Sequence, residues 1–127
     1  MNRHGKYGVA AARAAERRAR EDAAPRLSSE VPSLRSLRLE VDETSSGGST
    51  LQRKYTRFVV VSTAPALFVV PCGDSYCTEG GHELTGPMMA ALQAGKARFA
   101  LDDECHGSIG PSPCARILHL EGVAEYQ

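Results

Sequence analysis

Leu37-Arg38-Leu39-Glu40-Val41-Asp42 alternates apolar and polar side chains without a break. Successive side chains of an extended strand point to opposite faces, so this stretch reads as a half-buried strand with one dry face and one wet face. Tyr55 to Ser62 (YTRFVVVS) is β-branched and aromatic and reads as a second strand. Between them Thr44 to Thr50 (TSSGGST) is rich in small polar residues, which makes the pair a long-looped hairpin. Further on, Ala66 to Val70 is again extended and runs directly into Pro71-Cys72. Residues 86–95 (GPMMAALQAG) read as a short helix. Thr85 or Gly86 would cap it, Pro87 suits its first turn, and Gly95 suits the position just past its end. Met88, Met89 and Leu92 would form its inward face as core filler. Lys96 to Leu101 is another strand candidate, Asp102-Asp103-Glu104 an acidic turn, and Arg116 to Tyr126 a last strand. The expected fold is α+β, a small antiparallel sheet with one short helix.

Working back from the first strand, the character of the chain changes. Residues 6–24 (KYGVAAARAAERRAREDAA) are rich in alanine and arginine, both good helix formers, and Pro25 supplies a stop. Ala12, Ala15, Ala19 and Ala23 share one stripe, with Arg13, Arg17 and Arg20 on the next. An alanine stripe buries little area, so such a helix frays alone or is held by a partner. Pro25 to Pro32 (PRLSSEVP) reads as a linker. The expected division is an arm and linker over residues 1–32 and a domain over residues 33–127.

The chain has 127 residues, enough for one domain but short of two, with a formal net charge of zero. That balance conceals a split. Residues 1–26 carry seven basic side chains (Arg3, Lys6, Arg13, Arg17, Arg18, Arg20, Arg26) against three acidic ones, and the rest carries the compensating acidic surplus. Such an asymmetry points the basic part at nucleic acid or another acidic partner. No segment approaches the ~20 apolar residues of a membrane-spanning helix, so no membrane role is expected. The basic N-terminus lacks the apolar stretch of a secretory signal. A cytoplasmic chain keeps its cysteines reduced unless a metal holds them.

All four cysteines fall in two pairs, Cys72-x4-Cys77 and Cys105-x8-Cys114. Both pairs occupy Gly-, Ser- and Pro-rich turns that follow apolar strand candidates. Two local loops presenting two thiolates each can supply the four tetrahedral donors that zinc requires, at small entropic cost. Gly73, Gly107 and Gly110 let the backbone turn and approach the metal. Free cysteines would favour strands and helices over such loops, and disulfides need an oxidising compartment. His82, separated from Cys77 by four residues, is the leading substitute ligand, and His106 beside Cys105 a second; a histidine so placed also serves as an outer hydrogen-bond donor. The arrangement resembles zinc-ribbon-like domains, in which two cysteine loops on neighbouring hairpins grip one metal ion. The resemblance spans roughly residues 66–121 and rests on Cys72, Cys77, Cys105 and Cys114, with a helix between the pairs. It implies Zn2+ in a structural role.

Catalytic readings assemble poorly. Zinc-dependent deaminases place H-x-E upstream of P-C-x-x-C, whereas His82 and Glu83 are adjacent and Pro113-Cys114 has no second cysteine three positions on. Neither pair is CxxC, and no phosphate-binding glycine loop or G-x-S-x-G elbow occurs. A zinc-dependent hydrolase is therefore the weakest reading, and a non-enzymatic module the expected one. In the first form it docks on nucleic acid or a ribonucleoprotein. Arg13, Arg17, Arg18 and Arg20 then contact phosphates, and Arg53, Lys54 and Arg57 extend the patch. In the second it is a protein–protein interaction or assembly protein whose arm orders on a partner.

Overall fold

The computed structural model describes residues 6–127, so Arg3 lies outside them. Helix α1 spans Lys6–Ala23, a one-turn helix α2 Leu27–Glu30, and strand β1 Leu34–Thr44. A 3-10 turn at Ser46–Gly48 leads into β2 (Leu51–Val59). Short strands β3 (Val69–Val70) and β4 (His82–Glu83) pair before helix α3 (Thr85–Gln93). Strand β5 (Arg98–Glu104), the small hairpin β6–β7 (Ser108–Ile109 and Ser112–Pro113) and β8 (Ile117–Tyr126) complete the described chain. The main sheet is antiparallel with the order β2-β1-β8-β5. The α+β class follows as the sequence predicts.

Alternation explains the two faces of this sheet. Leu37, Leu39 and Val41 of β1 point inward together with Leu118, Leu120 and Ala124 of β8, and all six are buried. Arg38 and Glu40 point the other way and are exposed. The inner face is covered by α3, through Met88 and Leu92, by Val70 of β3, and by Phe68 and Leu84 beside the β3–β4 pair. Burying each such side chain contributes about 1.5–3 kcal/mol. Gly95 ends α3 as expected, with φ of +72° and its N–H bonded to the Leu92 carbonyl. The start of α3 differs: Leu84 holds the cap position without a side-chain bond, while Thr85 Oγ1 accepts from Phe68 N–H and donates to Glu83.

Two other stretches depart from the sequence reading. Pro25 to Pro32 is no bare linker. Leu27 and Val31, one helical turn apart, both sit in the main core, and Arg26 forms a bridge with Pro65. Asp102-Asp103-Glu104 is not a turn but the end of β5, because β8 supplies the ladder partners that keep it extended.

Helix α1 turns an unexpected face to the domain. Ala12, Ala15, Ala19 and Ala23 are exposed, whereas Arg13, Ala14, Arg17 and Glu21 are partly covered. Arginine reaches polar groups that a methyl cannot satisfy, so the arginine stripe makes the contact.

Candidate metal centre

The sulfurs of Cys72, Cys77, Cys105 and Cys114 all lie within 4.8 Å of one another. None is in a disulfide. Two approaches between the loops are short: Cys72 Sγ to Cys114 Sγ is 3.6 Å, and Cys77 Sγ to Cys105 Sγ is 3.7 Å. A tetrahedral zinc–thiolate site with bonds of about 2.3 Å sets its sulfurs about 3.8 Å apart. The four cysteines thus form a candidate metal site of suitable size.

Local structure holds each loop in place. Cys105 N–H bonds the Arg116 carbonyl at the mouth of β5 and β8, and Cys114 N–H bonds the Gly107 carbonyl, each at 2.8–2.9 Å. Thr78 and Ser108 exchange two backbone bonds, which tie the Cys77 loop to the Cys105–Cys114 loop. In the first loop Asp74 accepts from Tyr76 N–H through its side chain and from Cys77 N–H through its carbonyl. Close approach dictates two glycines. A Cβ on Gly80 would collide with the Cys77 and Cys105 sulfurs, and one on Gly107 with Cys77 Sγ and the Gly80 backbone. Sequence reading anticipates Gly107 but misses Gly80.

Electrostatics at the sulfurs are divided. Burial pushes the Cys72 thiol up to about 12, assisted by the crowding of Cys114 and Cys105, although Asp74 N–H offsets part of this. Burial raises Cys77 further still. Burial acts on Cys105 as well, yet N–H donors from Gly107 and Gly81, together with bonds from the Cys77 and Cys114 thiols, bring that thiol below its ordinary 9.0. Gly81 N lies 3.4 Å from Cys105 Sγ, and Asp74 N 3.5 Å from Cys72 Sγ. Four adjacent thiolates repel one another, and a divalent cation among them removes that penalty.

Behind the sulfurs lies a buried polar network. Glu43 is 0% exposed. Its Oε1 accepts from Arg116 Nη1 at 2.9 Å and its Oε2 from Gly73 N–H at 3.0 Å, so a carboxylate on the sheet pins the backbone next to Cys72. A Cβ on Gly73 would strike that carboxylate. Arg116 also lies 3.7 Å from Asp74, and Arg53 3.6 Å from Glu43 while donating to the Pro71 carbonyl. Glu43 is the inward member that follows Leu37, Leu39 and Val41 in the same alternation, and that signal could have found it.

His82, 1% exposed, turns Nδ1 to Asp103 Oδ2 at 2.7 Å, with Nε2 3.8 Å from Glu43. It is not a member of the four-residue cluster. His106 is exposed. Of the four arm arginines, Arg13 donates to the Cys77 carbonyl at 3.2 Å and Arg20 meets Glu83 at 2.7 Å. Arg17 is partly covered and Arg18 exposed. On β2 Lys54 is paired with Asp42, and Arg57 is exposed.

The chain matches no protein-family model, no curated protein and no solved structure. Among the described residues no helix is long and apolar enough to cross a membrane.

Proposed function

We propose that the chain is a non-enzymatic binding module stapled by one structural Zn2+ held by Cys72, Cys77, Cys105 and Cys114. The convergence of four sulfurs at near-tetrahedral spacing carries this reading. Thiolate sulfur favours zinc over harder cations, and four thiolates fill its coordination and leave no position for a reactive water. His82, engaged with Asp103 and close to Glu43, then serves as a polar support under the loops rather than as a ligand. Metal analysis of protein purified without added zinc tests the assignment: one zinc per chain is expected, released by thiol modification. Protein that is fully folded with free thiols and no bound metal would overturn it.

The partner we propose is nucleic acid or a ribonucleoprotein, met by the basic arm. Of the four arginines Arg13, Arg17, Arg18 and Arg20, the first and last are engaged within the chain, which leaves Arg17 and Arg18 of that set to meet phosphates. Binding should weaken with salt at a slope of about −2 in log K against log salt, about half that of four free arginines. Absence of binding to RNA or DNA at low salt would hand the arm to the alternative, an assembly protein. The exposed alanine stripe favours that alternative, since small side chains admit close approach of a partner helix.

A further inference from the structure

Strand β5 is the outer strand of the sheet on the side away from β2. Two hydrogen bonds at the ends of its pairing with β8 fix which peptide groups face outward. Ala124 N–H donates to the Ala97 carbonyl and Cys105 N–H to the Arg116 carbonyl, each at 2.8 Å. Hydrogen-bonded and non-bonded pairs alternate along an antiparallel ladder. The odd-numbered residues therefore face β8, and Arg98, Ala100, Asp102 and Glu104 present their N–H and C=O groups to the open side.

Under this edge, between β5 and α3, runs a groove of about 430 Å³ lined by alanines of α3, by Phe99 and Leu101, and also by the cationic Lys96 and Arg98. Phe99 and Leu101 belong to the core side yet are only partly buried, because the alanines of α3 are too small to cover them. The strand is also electrically polarised, with Arg98 at its start and Asp102, Asp103 and Glu104 at its end. Asp102 is paired with His119, and Asp103 with His82. Among the described residues Arg98 and Glu104, both exposed, have no such partner.

We infer that two copies of this chain join edge to edge through β5, antiparallel about a two-fold axis at Leu101, into one eight-stranded sheet. In that register Arg98 lies opposite the partner's Glu104, and Ala100 opposite the partner's Asp102, each twice. All four outward-facing residues are then hydrogen-bonded, and the two unpaired charges neutralise each other across the axis. Leu101 meets its own symmetry mate over the groove, where the small side chains of α3 leave room. The other edge fails the same comparison: β2 carries Arg53, Lys54 and Arg57 and no acid, so self-pairing would set cation against cation.

Sedimentation equilibrium of the full, metal-loaded chain over a wide concentration range tests this. The expected result is a species of twice the 13.6 kDa chain mass. Arg98→Glu should weaken association about tenfold or more, since two like-charge pairs replace two opposite ones. Adding Glu104→Arg should restore it to within a few-fold. Wild-type protein that stays at the single-chain mass overturns the proposal and leaves the edge to an extended peptide. A dimer indifferent to Arg98→Glu, or a double variant as weak as the single one, overturns it equally. Should Arg98→Glu lower the unfolding midpoint, Glu104→Arg alone carries the same test.

Discussion

Gly122 on β8 has no side chain because Phe99 on the paired strand occupies the space a Cβ would need. Gly122→Ala should therefore cost about 1–3 kcal/mol in urea unfolding, as overpacking does, and Phe99→Leu in the same chain should recover part of it. An unchanged midpoint would mean that the ring moves aside freely. His119 offers a pH-dependent counterpart. Hydrogen bonds to Asp102 (2.7 Å) and Glu121 (3.1 Å) raise its pKa above 6.5, with burial opposing them, while Asp42 faces it from β1 and is itself paired with Lys54. A raised folded pKa stabilises fully below the unfolded value and ceases to do so as pH rises through the folded one. The pair is partly exposed, so about 0.5 kcal/mol is at stake. The stability gap between wild type and His119→Gln should thus close as pH climbs from about 6 to about 8. A gap that widens over that interval would contradict the assignment. At this scale the four cysteines were legible from their loops, and Glu43 was visible in the alternation. What satisfies Glu43 was not, since its donors Arg116 and Gly73 are far from it in the chain.

Among the elements, those with a long period were readable: β1, β2, α1, α3 and β8 all appear close to their expected positions. The one-turn α2 and the two-residue strands are too short to carry a period, and the acidic end of β5 is held extended by its neighbour rather than by its own composition. The docking face of α1 was also hidden, because propensity marks a helix without saying which stripe finds a partner. That face rests on the Cys77 carbonyl and on Glu83, one within the cysteine loops and one next to His82. Exposed pairs of this kind contribute little individually, about 0–1 kcal/mol. We therefore predict that chelation, by loosening the Cys77 loop, speeds tryptic cleavage after Arg17 and Arg18 several-fold. Equal cleavage rates with and without chelator would show that the helix is held independently of the sulfurs.

For the molecule as a whole, the cysteine cluster joins two excursions from the main sheet, residues 72–77 and 105–114, that make their own small core with Ile109. If zinc closes them, its binding energy is folding energy. The unfolding midpoint should then rise with free zinc concentration, and Cys105→Ser or Cys114→Ser should bring it down to the value of chelated wild type. A serine variant with the wild-type midpoint would disprove the staple. The α+β class was legible from alternation and spacing, but the strand order was not. Local pattern cannot say that β8 inserts between β1 and β5, with Leu37 opposite Ala124. That insertion matters while the chain is being made. Strand β1 gains its first neighbour as soon as β2 leaves the ribosome, but its second only after β8 has emerged. Throughout the interval one flank of the row Leu37, Leu39 and Val41 stays open, and the slow closure of distant partners prolongs that exposure.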